Sequence, residues 1–282
     1  MSIFYLTSII LGVAFQNVAK KPYTQKTQGR GVYIFSCMTS FVAMLFFIFT
    51  AGGFSFDAGL IFYAFLFAAS YLSASVFCVM AIAYGSLSLT ALITSYSLML
   101  PTLYGIVFLK DPIGSGLIPG IVMLVISLFL TNKKSDDTKI TLKWIVCVFI
   151  AAVGNGMCSV TQKMQQVVYD GAFKNEFMII ALAMVVVMLL ILAFAKERKD
   201  MKEFVKAGWV PAISCGVVNG IVNLFVMVLS GLMAASVMFP LISVGGIVVT
   251  YIVSRFYYKE SITKSQSIGF VLGLVAIVLL NI

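Results

Sequence analysis

The sequence predicts an all-α integral membrane protein with ten transmembrane helices arranged as two inverted five-helix repeats. Composition is the first observation behind this. The hydrophobic fraction is 61%, only 10% of residues are charged, and the mean hydropathy is +1.08, against an apolar share of roughly 45–50% in soluble domains. Spacing is the second. Charged residues cluster between apolar runs of about 17–25 residues, the length of helix that crosses a hydrocarbon core. The alternating strands of an outer-membrane barrel are about half as long. The third is an internal repeat, the feature that most changes an architecture when it is missed. Lys110-Asp111-Pro112-Ile113 and the apolar run ending at Asn132 recur 149 positions later as Lys259-Glu260-Ser261-Ile262 and a run ending at Asn281. Gly120 falls on Gly269 and Val122 on Val271 in the same register.

In chain order the spans are expected near 3–21, 32–50, 60–83, 86–108, 114–131, 142–163, 175–195, 207–229, 232–256 and 265–281. Residues 1–132 make the first repeat, 133–141 a hydrated linker and 142–282 the second repeat. An odd number of crossings per repeat makes the second copy enter from the opposite side, the plan of many secondary transporters. Span 1 matches span 6 at an offset of 142, with Gly12, Val18 and Lys21 on Gly154, Val160 and Lys163. Spans 4 and 9 align at an offset of 146, where Gly85 meets Gly231. The segment 196–206, rich in Lys and Glu, reads as a solvated loop, with an interfacial helical extension as the alternative.

Sixteen of the 19 basic residues fall in the loops between spans 1 and 2, 5 and 6, 7 and 8, and 9 and 10. Lys110, Lys163 and Lys174 lie on the other side. By the positive-inside rule the sixteen-residue side is cytoplasmic and both termini are outside. The net charge of +9 is thus assigned to orientation and to anionic membrane lipid, with no nucleic-acid partner.

A polar side chain in hydrocarbon needs a partner or a wet cavity, so polar stripes mark inward faces. Span 4 carries Thr90, Thr94, Ser97, Pro101 and Tyr104 on one helical face, and span 9 carries Ser236, Pro240, Ser243, Thr250 and Ser254 at equivalent spacing. Each proline removes a backbone donor and frees carbonyls, and broken helices at matching places point to a binding site. Asn17 and Lys21 lie four apart in span 1. Asn155, Ser159 and Lys163 share a face of span 6, with Gln162 beside it. Asn219 and Asn223 lie four apart in span 8, and span 3 offers Ser70, Tyr71 and Ser73. The asparagines either line a cavity or act as glue between helices. Lys21 and Lys163 sit at span ends, where snorkelling to headgroups is the first reading and a substrate or gating role the second. Asp111 and Glu260 are explained by local pairing or helix capping.

Every acidic residue lies in a loop or at a span edge, so the intramembrane acid that proton-driven carriers commonly use is missing. There is no histidine, which excludes a His-based metal site or general base. The five cysteines all lie in apolar runs and read as packing residues. No Gly-x-x-x-x-Gly-Lys-Ser/Thr loop occurs, no cofactor is expected, and an enzyme is disfavoured. Spans 2, 5, 7 and 10 are nearly bare of strongly polar residues and are expected to face lipid, serve as scaffold or meet a second copy of the chain. In span 10, Gly269 and Gly273 form a Gly-x-x-x-Gly suited to close helix approach.

Phe256-Tyr-Tyr-Lys-Glu-Ser-Ile-Thr263, continuing through Ile268-Gly-Phe-Val-Leu-Gly to Asn281, together with Gly12 to Lys21 and Gly154 to Lys163, resembles the drug/metabolite transporter superfamily with tandem EamA-type domains. The resemblance covers nearly the whole length. It implies a central cavity built from spans 1, 3, 4, 6, 8 and 9, movement of a small-molecule substrate such as a metabolite, amino acid or drug across the cell membrane, often as export, and termini in the cytoplasm. The chain departs from the small multidrug relatives by lacking their first-helix glutamate.

Overall fold

In a computed structural model the described residues are 2–111, 115–116, 119–120, 122–123, 126–127, 130, 141–257 and 264–279. They form α1 (Ser2–Thr27), α2 (Val32–Thr50), α3 (Leu60–Tyr84), α4 (Leu87–Ser95), a 3-10 turn (Tyr96–Leu98), α5 (Met99–Phe108), α6 (Leu142–Val168), α7 (Lys174–Lys196), α8 (Met201–Leu232), α9 (Ala235–Phe256) and α10 (Lys264–Leu279). Seven helical stretches among them are long and apolar enough to cross a membrane, counting Leu89–Phe108 as one. The protein is an all-α, multi-pass membrane protein. The 133–140 part of the linker, the Lys259-Glu260 step, Asn132, Asn281 and most of span 5 lie outside the described residues.

Packing follows from where small residues fall. α3 lies along α6, α1 along α8, and α2 is held between α7 and α8. At the α3–α6 crossing, a Cβ on Gly154 would stand 2.8 Å from both the Ala74 nitrogen and the Ser70 carbonyl oxygen, so only glycine lets these backbones approach. Phe47, Phe67, Phe177, Met178 and Leu182 fill the seam between α2, α3 and α7 with buried apolar surface. The expected Gly269-x-x-x-Gly273 crossing is present. Gly269 accepts a hydrogen bond from the Ser127 hydroxyl, which also bonds Tyr96 at 2.7 Å. A Cβ on Gly273 would come within 2.8 Å of both hydroxyls.

Three helix ends differ from expectation. α1 does not stop at Lys21 but passes through Pro22 to Thr27, because the donor a proline lacks can be absorbed by neighbouring side chains in a packed bundle. α6 continues five residues beyond Lys163 to Val168, so that lysine is not at a helix end. The 196–206 segment is a loop only over its first residues, since α8 begins at Met201. There Glu197 accepts hydrogen bonds from the backbone N–H groups of Tyr33 at 3.0 Å and Ile34 at 2.8 Å. The carboxylate thereby meets the donors and the positive end of α2. Burial pushes the Glu197 carboxyl above the ordinary carboxylate range, and the N–H groups of Ile34, Tyr33 and Val32 pull it part of the way back.

Span 4 is broken and span 9 is not. A proline clashes with the carbonyl four residues before it, and for Pro101 that residue is Ser97, inside the 3-10 turn that separates α4 from α5. α9 runs as one helix through Pro240. The expected matching breaks are therefore reduced to one. The side chains of Pro240, Thr250 and Ser254 lie outside the described residues.

Candidate functional site

A cavity of about 180 Å³ lies between α1, α2, α3, α4, α6, α8 and α9, with Leu98 of the 3-10 turn also in its wall. That is below the ~300–1,000 Å³ of pockets that hold drug-sized molecules. Of the residues expected from sequence, Asn17, Tyr71, Thr94, Asn155, Ser159, Asn219, Asn223 and Ser243 line it. Lys21, Ser97, Pro101 and Lys163 do not. Pro240 lies beside Phe239 in the chain, which does line it.

The polar residues form a connected network across four helices. Gln162 of α6 donates to the Asn223 side-chain oxygen at 2.8 Å, and Asn223 of α8 donates to the Asn219 side-chain oxygen at 3.0 Å. Tyr71 of α3 donates to the same Asn219 oxygen at 3.0 Å. Asn219 donates to the Gln16 oxygen of α1, also at 3.0 Å, and Gln16 returns a long bond of 3.4 Å to the Gly12 carbonyl. The amides are thus both cavity wall and interhelical glue, and the two readings left open by the sequence coexist. A separate pair joins Asn155 of α6 to the Ser97 hydroxyl at 2.7 Å. The break before Pro101 sets Ser97 in this position, which makes Pro101 a shaping residue outside the wall.

Lys163 overturns its first reading. It is 7% exposed and donates to the Ser230 carbonyl at 2.6 Å and the Met233 carbonyl at 3.2 Å. A lysine in this place satisfies the last carbonyls of α8 and meets the negative end of its dipole. Asp111 accepts from the Ser236 N–H at 3.1 Å in the first turn of α9. The turn joining α8 to α9 is therefore held from both sides. Lys21 is half-buried and has a polar or ring partner of its own.

Sequence reasoning missed Gln16 and Lys20 on α1 and Ser36 and Thr39 on α2, all of which line the cavity. Gln16 and Lys20 are also four apart, one residue before the Asn17–Lys21 pair. A one-residue shift rotates a helix face by about 100°, and the match of Lys21 to Lys163 favoured the wrong register. α2 was set aside as bare because serine and threonine hydroxyls carry little signal in an apolar run.

Part of the lining falls at constant offsets, whereas Val79 of α3 has no lining mate at 148 and Phe239, Ile242 and Ser243 of α9 have none at 146. On α1 it comprises Ile9, Val13, Gln16, Asn17 and Lys20, and on α6 Ala151, Asn155, Cys158, Ser159 and Gln162, each of the second five lying 142 positions after its mate in the first. On α8 the lining residues Asn219, Val222, Asn223 and Val226 lie 148 positions after Tyr71, Ala74, Ser75 and Cys78 of α3. Phe35, Ser36 and Thr39 of α2 have no lining counterparts on α7.

No family model matches the chain, and no curated protein matches it. Solved structures share its fold. One crystal structure superposes with a TM-score of 0.68 over 99% of this chain and 95% of that one, at 10% identity. At that identity the likeness extends to the fold alone.

Proposed function

We propose that the chain is a ten-span secondary transporter of the drug/metabolite transporter type, built as two inverted five-helix repeats. It moves a small solute across the cell membrane by alternating access, in the export direction. The observation that carries this reading is that the cavity lining of α1 and α6, and most of that of α3 and α8, falls at constant offsets of 142 and 148. A shared pocket made from equivalent faces can be presented to either side by rocking one half against the other. Contacts near the centre support it. Tyr71 bonds Asn219, which lies at the same offset of 148 as the shared lining of α3 and α8. Gly116 abuts Leu279 and Ser265 donates to the Leu130 carbonyl, and an offset of 149 converts the first pair into the second. Contacts that map onto themselves are what a two-fold relation between halves produces.

The basic loops place their side in the cytoplasm, and both termini then lie outside. Solute flux in proteoliposomes containing the full chain tests the carrier reading. Asn155→Leu and Asn219→Leu are expected to reduce flux while the protein still elutes as a folded species. Wild-type flux in the double variant would refute the cavity as the route. Lipid scrambling without solute flux would replace the carrier with a scramblase.

A further inference from the structure

Resting on that reading, we infer that the cavity takes a small monocarboxylate with a compact apolar body, and that Lys20 is its anion anchor. Lys20 is the one charged side chain among the described residues that line the cavity. Its ammonium makes a 3.9 Å contact with the Cys78 sulfur, a weak acceptor for a full charge. No carboxylate lines the pocket beside it among the described residues. A cation held between membrane helices calls for an anion or water.

A second observation points to the same ligand. Ser36 is 3% exposed and lines the cavity, and its hydroxyl is closed off from the pocket space and has no hydrogen-bond partner among the described residues. It belongs to the same end as Lys20, where Tyr23 of α1 stacks on Phe35 of α2 at 4.3 Å between ring centroids. A buried hydroxyl left unpaired is costly, and a rotation that turned it toward the cavity would give a carboxylate oxygen a donor besides Lys20.

The remainder of the pocket selects against other charge types. The side-chain oxygens of Asn219, Asn223 and Gln16 already accept from neighbouring amides or Tyr71. A ligand ammonium would therefore find no acid among the described lining residues to neutralise it, and in Asn219 an oxygen whose two acceptor places are both filled. Away from Lys20, α1 supplies Ile9, eleven residues or about 16 Å along the helix, with Val226 and Phe239 also lining the pocket. At the position equivalent to Lys20, α6 has neutral Gln162. The cavity is thus cationic at one end, lined by amides in between and apolar around Ile9, Val226 and Phe239.

The test uses the purified full chain in detergent for binding and in proteoliposomes for flux. Straight and branched monocarboxylates of two to six carbons are compared with amides, amines and amino acids of the same skeletons. At least one carboxylate is expected to bind about ten- to hundredfold tighter than its amide, the range of a charge-assisted bond. Lys20→Gln should remove that preference and Lys20→Arg retain most of it, while Lys21→Gln leaves it in place. Ser36→Ala should weaken carboxylate binding severalfold. Preference for the amine or amino acid, no carboxylate binding, or unchanged selectivity in Lys20→Gln would each overturn the anion anchor. Carboxylate binding without flux would keep the anchor and overturn the carrier, whereas flux of uncharged solutes unaffected by Lys20→Gln would do the reverse.

Discussion

α1 and α6 share a pattern of glycine, valine and lysine at an offset of 142, and the structure uses that pattern differently in each. Gly154 of α6 lies against the backbone of α3, with the Ala74 nitrogen and Ser70 oxygen 2.8 Å from where a Cβ would be. Gly12 of α1 faces side chains of α8, with Val222 at 2.5 Å and Val218 at 3.1 Å. Lys163 is buried between the last carbonyls of α8, while Lys21 is half-buried and its neighbour Lys20 reaches the cavity. α6 is held by backbone contact and a buried lysine, while α1 meets side chains and turns a charge to the pocket. Two helices that share a residue pattern thus carry different chemistry on it.

The sharpest way to break this comparison is to add one methyl group to each crossing. Gly154→Ala forces backbone apart and is expected to cost about 3 kcal/mol, the upper part of the range for overpacking. Gly12→Ala meets not backbone but valine methyl groups, stiff at χ1 in a helix, and is expected to cost about 2 kcal/mol. Denaturation of the two variants in the same detergent measures this, and equal losses would mean the crossings are equally tight.

The lysines come next. Lys163→Met strips two carbonyls of their donor and is expected to destabilise by about 2 kcal/mol, whereas Lys21→Met should lose less than half of that because its half-exposed site lets water compensate. Thermal unfolding followed by size-exclusion fluorescence reads both, and a Lys163→Met variant as stable as wild type would remove the buried cap.

Pro101→Ala restores a backbone donor near the break before α5 and is expected to change stability by less than about 1 kcal/mol. It should lower flux severalfold by moving Ser97 away from Asn155. A variant with wild-type flux would show that the break does not shape the site.

The smallest effect concerns Glu197. Its carboxyl titrates above the ordinary range because of burial, so the native state holds its proton more tightly than the unfolded chain does. The stability linked to that shift is fully present below the unfolded pKa and is lost as pH rises through the raised native one. Compared with Glu197→Gln, the wild type should melt relatively higher near the ordinary carboxylate pKa than at neutral pH. A difference independent of pH would show that the N–H groups of Tyr33 and Ile34 fully offset burial, and one of the opposite sign that they outweigh it.

Much of the site was legible because amides at membrane depth are rare and costly. Asn17, Asn155, Asn219 and Asn223 all line the pocket. Lys163 was legible as a residue and misread as an anchor, since its helix end was placed five residues early. Ser97 and Pro101 were found by spacing but act behind the wall. Gln16, Lys20 and Ser36 were missed because a one-residue change of register, or a lone hydroxyl on an apolar helix, leaves little trace in a hydropathy pattern.

The amino-acid order alone determined that the chain lives in a membrane and, to within several residues, where most of its apolar helices run. Hydrocarbon imposes those answers locally, through the length of each apolar run and the cost of each unpaired polar group. Which of two adjacent lysines faces the pocket, which proline breaks its helix and which cap is buried were decided only in the folded bundle. Rotation about a helix axis is set by contacts between helices distant in sequence, such as Gly12 with Val222 and Gly154 with Ser70, which no local pattern records.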